Sequence, residues 1–333
     1  MVLGVAYLIR AIGDAGNEVI SWFSPLGWVL GAEVYVNNYW WPILLTISVS
    51  LAFIIIALYL NAIRDLGSGF IPAKPGRKYA SRFLQSPLGL AYRLQRTGLI
   101  AWAIGMYILG ASYGSVLGDL DSFFENMTVM EDLLIPVEGF SLTEQFIPML
   151  MSIMAMISTV PVLMAMFKLK GEENKNRTNH LLGRAVSRTQ LMGGYFVISI
   201  SVGFITLSLT ALGLWSAGSM VMDDGIALGT IYSAAMVYLP ALWIMTGIAV
   251  LLVGIAPKFT GFTWLYLGYS FIVVYLGGLL QFPEWMSNLS PFGHISQLPV
   301  EDMDFIKAAA LTIIAVVLTV IGFIGYNRRD IEG

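Results

Sequence analysis

The sequence predicts an all-α fold: a polytopic transmembrane helical bundle, built as a two-half parallel repeat with the first half incomplete. Three observations lead there. Apolar residues are 57% of the chain and charged residues 12%, with a mean hydropathy of +0.76, well outside the range of soluble domains. Seven apolar runs are each long enough to cross a hydrocarbon core of roughly 30 Å as a helix. Two stretches 266 residues apart read as one module.

The module begins at Trp22-Phe23-Ser24-Pro25-Leu26-Gly27-Trp28 and returns at Asn288-Leu289-Ser290-Pro291-Phe292-Gly293-His294. Each copy continues through a loop and an apolar run to a basic stop, Arg64-Asp65-Leu66-Gly67 in the first and Arg329-Asp330-Ile331-Glu332-Gly333 in the second. Ser24 to Asp65 spans 41 positions and Ser290 to Asp330 spans 40. Both copies run in the same direction, which makes the repeat parallel, with a pseudo-two-fold axis along the membrane normal.

Residues 1–62 then read as the tail of a first half. Residues 2–12 are a short apolar run broken by Arg10, without the basic n-region and A-x-A-like site of a signal peptide. The first full span is expected at about 39–62. On this reading the chain is a fragment or a split subunit, and span 39–62 leaves one flank bare for a partner. Residues 63–95 form a linker that Ile71-Pro72-Ala73-Lys74-Pro75-Gly76 keeps from being helical. Ser86-Pro87 reads as an N-cap with proline at the first helical position. It opens an elbow helix at the membrane interface, with Leu88, Ala91 and Tyr92 on one face and Arg93 and Arg96 within reach of phosphates. A solvated linker with a chance apolar face is the alternative.

Residues 96–333 hold a second, six-span half, with spans at about 96–117, 145–167, 191–214, 228–255, 262–281 and 305–326. Gly110, Gly114 and Gly118 form a small-residue stripe suited to close helix packing. Ser199, Ser201, Thr206, Ser208 and Thr210 either line a cavity or bond back to their own helix. Pro161 and Pro240 should kink their helices. The prolines and aromatics of 281–304, repeated in 15–38, suggest partly re-entrant turns at Ser24, Pro25 and Gly27 and at Ser290, Pro291, Gly293 and His294. His294 reads as a structural residue of that turn, since a lone histidine is not a metal site.

Sixteen of the 18 Lys and Arg residues fall on one face of this topology, and 16 of the 21 acids on the other. The positive-inside rule makes the basic face cytoplasmic, with the C-terminus on it and the plasma membrane as the location. Without cysteine there is no disulfide framework or thiol nucleophile. No Asp, Glu or His lies inside a full span, which argues against a proton- or sodium-coupled carrier. The chain lacks G-x-x-x-x-G-K-[ST], so it has no phosphate cradle of its own.

On the basic face, Leu181, Leu182 and Val186 alternate with Arg184 and Arg188. That is either a short amphipathic helix for a partner's groove or a topogenic loop and nothing more. From Glu172 to Arg188 the segment resembles the acidic-start, "l-x-x-pvSR" segment of type-2 ABC exporter permeases, although Ala185 stands where that family usually has proline. Arg64-Asp65-Leu66-Gly67, Ser86-Pro87-Leu88-Gly89-Leu90, Arg93-Leu94-Gln95-Arg96 and Tyr238-Leu239-Pro240-Ala241 are similar to the polyketide-antibiotic exporter-like branch. So are Gly277-Gly278-Leu279-Leu280, Leu298-Pro299 and Glu301-Asp302 around the second module, and together the pieces cover essentially the whole chain.

The resemblance implies a permease subunit, not an enzyme, that exports a lipophilic compound. It implies that Glu172, Glu173, Leu181, Leu182, Arg184, Ser187 and Arg188 couple it to a separate ABC ATPase subunit, which binds the ATP. The expected partners are that ATPase, the lipid bilayer and any chain carrying the rest of the first half; nucleic acid is not among them. A secondary carrier and a non-transporting membrane scaffold are the alternatives.

Overall fold

The computed structural model describes residues 6, 7, 9, 10, 13, 18–63, 79–119, 141–183, 185–222, 225–277 and 280–330. Every regular element among them is helical. The chain divides into two compact units, Met1–Ala80 and Ser81–Gly333.

In the first unit, α1 (Glu18–Ser21) turns into α2 (Pro25–Leu30), and a loop leads to α3 (Trp41–Ile63). Ser24 starts α2 as an extended N-cap whose hydroxyl accepts from the Leu26 N–H, with Pro25 already holding a helical φ. Trp22 stacks on Trp41 with ring centroids 4.7 Å apart, fixing the turn to the head of the long helix. At 23 residues, α3 is about 34 Å long, enough to span a bilayer. It is apolar all round, and Pro42 is its one buried residue. The Arg64-Asp65-Leu66-Gly67 stop and the Pro-Gly linker lie outside the described residues.

The second unit contains α4 (Pro87–Gly114), α5 (Leu142–Glu173), α6 (Arg177–Leu182), α7 (Arg188–Val221), α8 (Leu228–Met236), α9 (Leu239–Ile255), α10 (Phe262–Tyr275), α11 (Glu284–Asn288) and α12 (Phe305–Arg328). Short polar residues set the starts. Ser141 with Glu144 and Ser187 with Gln190 form reciprocal capping boxes on α5 and α7, and Asp304 accepts two backbone N–H groups at α12. The central helix is α5, packed on α7, α8, α9 and α10, with Ile147, Met151, Met154, Leu163 and Leu169 fully enclosed.

Two pairs of helices run in close contact, α4 with α7 and α9 with α12. A Cβ on Gly110 would lie 2.2 Å from the Thr210 carbonyl oxygen, on Gly114 2.4 Å from that of Leu214, and on Gly118 2.6 Å from that of Val221. The α9–α12 seam is as tight, since a Cβ on Gly254 would sit 2.0 Å from the Gly322 oxygen. Small residues let the backbones approach where apolar burial alone does not drive association in lipid.

Among the described residues, six helical stretches are long and apolar enough to cross a membrane: Trp41–Ile63, Pro87–Gly114, Thr143–Glu173, Arg188–Val221, Leu228–Ile255 and Phe305–Arg328. The expected 262–281 span is shorter than the apolar run suggested. Its helix ends at Tyr275, after 14 residues or about 21 Å, because the chain turns at Leu276 and Gly277. The expected elbow helix is not a separate element either. Ser86 caps and Pro87 opens a single 28-residue helix that continues unbroken through Arg96. At Pro240 the expected kink is a full break, with α8 stopping at Met236 and α9 restarting at Leu239, while Pro161 lies within α5. Tyr238, buried in that break, donates its hydroxyl to the carbonyl of Pro148 on α5 at 3.4 Å.

Candidate functional site

The ends of α5, α6, α7 and α12 meet on the basic face of the second unit. The last turn of α5 supplies Lys168, Lys170, Glu172 and Glu173, and a three-residue turn leads into α6. Asn176 makes that reversal with φ 56°, a left-handed conformation that asparagine adopts more easily than most residues.

Both glutamates face inward. Glu172, 4% exposed, pairs with Lys168 Nζ and Arg177 Nη1, each at 3.2 Å. Glu173, 6% exposed, receives Arg329 Nη2 on its two oxygens at 3.0 and 2.8 Å. The Arg329 guanidinium also lies 5.4 Å from the centre of the Tyr326 ring. From the first turn of α7, Arg188 donates to the carbonyls of Tyr326, Asn327 and Arg329, at 3.4 and 3.2 Å for the first two. Those are the orphan carbonyls of the α12 C-terminus, where a cation complements the helix dipole. Thr189 and Asn327 add a reciprocal side-chain contact at 3.0 and 3.2 Å. The result is a clasp joining four helix ends, in which both buried glutamates are paired with cations of the same chain and Arg188 caps α12.

Leu181, Leu182 and Val186 are half-buried and rest against the protein's own core. The exposed surface of this corner is polar instead, with Lys175, Asn179 and His180 outermost. Ser187 caps α7. Arg184 lies outside the described residues. Beside the clasp is a cavity of about 670 Å³ bordered by Lys170, Glu173, Lys258, Phe259 and Arg329.

The hydroxyls of α7 divide between their two expected uses. Ser199, Thr206 and Thr210 donate to carbonyls one turn back at 3.0, 2.8 and 2.8 Å, Ser208 meets the Tyr232 hydroxyl at 3.1 Å, and Ser201 lines a groove.

The two Ser-Pro turns, one in each unit, repeat one geometry at the 266-residue offset. The Leu26 and Phe292 N–H groups each donate to the preceding serine hydroxyl at 3.3 Å. A Cβ on Gly27 would lie 2.1 Å from the Ser21 oxygen, and one on Gly293 2.3 Å from the Ser287 oxygen, so both turns need glycine. The Trp28 indole N–H donates to the Trp22 carbonyl at 2.6 Å, and His294 Nε2 lies 2.7 Å from the Asn288 carbonyl. A carbonyl only accepts, so Nε2 carries a proton and does the work of the indole N–H. Sequence reasoning missed this pairing of ring donors, whose signal was the aromatic at equivalent positions. Under the second turn, a cavity of about 270 Å³ is lined by Gln145, Ser152, Tyr238, Ser287 and Gln297 among others.

Residues 84–327, all within the second unit, match the family model described as multidrug efflux system permease Rv1217c, C-terminal domain. The multidrug efflux system permease protein Rv1217c of Mycobacterium tuberculosis is 34% identical over 335 residues, covering 99% of this chain. The chain spans 61% of that relative's length. It is a multi-pass helical membrane protein and belongs to the Rv1217c-type multidrug efflux permease family.

Proposed function

We propose that the protein is the membrane-spanning permease part of an ATP-driven ABC exporter. It moves a lipophilic compound outward across the plasma membrane, with its basic face in the cytoplasm. The observation that carries this reading is the clasp. A permease that takes work from a separate ATPase needs a cytoplasmic element that passes a push to several helices at once, and α6 is held in that position. Arg177–Glu172 ties α6 to α5, Glu173–Arg329 ties α5 to α12, and Arg188 ties α7 to the same α12 terminus. The relative's name, the resemblance of 172–188 to a coupling segment and the charge segregation support the same assignment.

In this mechanism the ATPase contacts the exposed surface of α6 and of the turn before it through Lys175, Asn179 and His180, while Leu181 and Leu182 anchor α6 to the bundle. Closure of the ATPase pushes α6, and α5 carries the displacement to its far end. There Pro148 and Ser152 border the polar cavity beneath the Ser290-Pro291 turn, the outlet of the pathway. On this reading the energy comes from the partner's ATP, and this chain supplies the lever and the path.

Co-purification from native membranes tests the assignment. Tagged protein should bring down an ATPase subunit. Lys175→Glu with His180→Glu should reduce capture at least about tenfold, because like-charge and desolvation penalties at an interface reach 1.4 kcal/mol or more. Unchanged capture by a correctly inserted variant would remove α6 as the docking element.

A further inference from the structure

Between α4 and α7 lies a groove that the efflux reading does not use. The two helices run in the same direction and touch at two levels. Near the basic end a Cβ on Gly194 would lie 3.3 Å from Leu88 Cα, and further along the Gly110–Thr210 contact closes the pair again. Between these points they part, leaving about 410 Å³ open along the side of the bundle, with Leu99, Ala103, Ser201 and Ile205 in its walls. Phe83 and Tyr92, in edge contact at 6.2 Å, form its basic end.

Charge at that end is one-sided. From Ser81 to Leu117 the chain has no Asp or Glu but three basic residues, Arg82, Arg93 and Arg96. Arg93 and Arg96 are exposed, and their helical spacing places them on the stripe of α4 that continues into Ile100 and Ala103 of the groove. At 28 residues, or about 42 Å, α4 exceeds the roughly 30 Å hydrocarbon core by about eight residues. Counted from Pro87, those eight residues reach Leu94, which puts Arg93 at headgroup depth, Arg96 at the edge of the hydrocarbon core, and Leu99 and Ala103 of the groove at acyl-chain depth.

We propose that this groove is a binding site for an anionic phospholipid of the leaflet on the basic side. One acyl chain lies between α4 and α7, and the phosphate is held by Arg93 and Arg96. The volume falls within the range of small-molecule sites, the lining is apolar as a chain requires, and the charge at the mouth is complementary to phosphate.

The purified full chain is exposed to phosphatidylglycerol and phosphatidylcholine with identical chains in one mixed micelle, and native mass spectrometry counts the lipids retained. Each basic residue at a membrane surface favours an anionic lipid by about fivefold. Phosphatidylglycerol should therefore exceed phosphatidylcholine by about 25-fold, and Arg93→Gln with Arg96→Gln should bring the two level. Arg96→Lys should keep the preference. Ala103→Trp, which fills the groove and leaves the arginines, should lower retention of both lipids. Equal retention of the two lipids by the unmodified protein overturns the site without recourse to variants. Wild-type preference in the Arg93/Arg96 variant, unchanged retention in Ala103→Trp, or displacement of the lipid by the uncharged dye Nile red at equal concentration overturns it as well.

Discussion

Replacing Glu173 with Gln removes the charge that Arg329 faces and leaves the guanidinium where it was. Glu173 is 6% exposed and both its oxygens lie within 3.0 Å of Arg329 Nη2, so the pair is mostly out of water. Breaking a buried pair by removing one partner costs about 3–5 kcal/mol, because the other charge stays desolvated and uncompensated. The Arg329 side chain keeps 18% of its surface accessible, which places the cost near the lower end, about 3 kcal/mol. For a unit of this size about 1 kcal/mol moves the unfolding midpoint by 2–4 °C, so Glu173→Gln should lower it by roughly 6–12 °C. Lys168→Met removes a pair whose lysine is 36% exposed and should cost less than about 1 kcal/mol. The assay is thermal unfolding in detergent across the cycle of Glu173→Gln, Arg329→Gln and both together. Strictly additive shifts, or a Glu173→Gln midpoint within about 2 °C of wild type, would show that the clasp does not hold these helix ends together.

Other expectations concern separate parts of the molecule. Gly254→Val should destabilise by more than about 3 kcal/mol, because its Cβ would meet the Gly322 backbone, which cannot move aside as a side chain can; unfolding midpoints would show it. Gly98→Ala, with nothing within 4 Å of the new methyl, should instead raise stability by about 0.4–1 kcal/mol. His294→Trp should be tolerated, since Trp28 makes the same bond at the equivalent position, whereas His294→Ala should lose about 1 kcal/mol; equal midpoints for the two variants would dissociate the ring donor from the turn. With no native cysteine, single cysteines at Ser81 and Asn176 should be shielded from an impermeant thiol reagent in intact cells while those at Ser219 and Asn288 react, and the reverse pattern would invert the proposed orientation.

The helices and their starts were legible because they depend on local chemistry. Composition gave the class, and Ser86-Pro87 marked the start of α4 at the observed residue. Helix ends were less visible. The apolar run after Phe262 continues past Tyr275, and hydropathy does not register the turn at Gly277 that stops α10. The stripe at Gly110, Gly114 and Gly118 stands out by its four-residue spacing. Gly254 and Gly322 carry no such pattern, yet their backbones approach about as closely. At the clasp the residue types were visible but their use was not. Glu173 and Arg329 are 156 positions apart, and nothing local shows that the acids of 172–188 turn inward or that Leu181 and Leu182 pack on their own bundle. The Ser-Pro-x-Gly turns were legible as a repeat, whereas the exchange of an indole donor for an imidazole donor required the coordinates.

The central claim is that transport through this permease is driven by ATP on a partner subunit, and the energy source can be read directly. Inverted vesicles from cells expressing the protein with its native partners are loaded with a lipophilic fluorescent dye, and dye uptake is followed on adding ATP. Uptake should depend on ATP hydrolysis, persist when a protonophore collapses the proton gradient, and fall sharply in the Lys175→Glu, His180→Glu variant. Uptake abolished by the protonophore and indifferent to ATP would contradict the account and make the protein a carrier of another class.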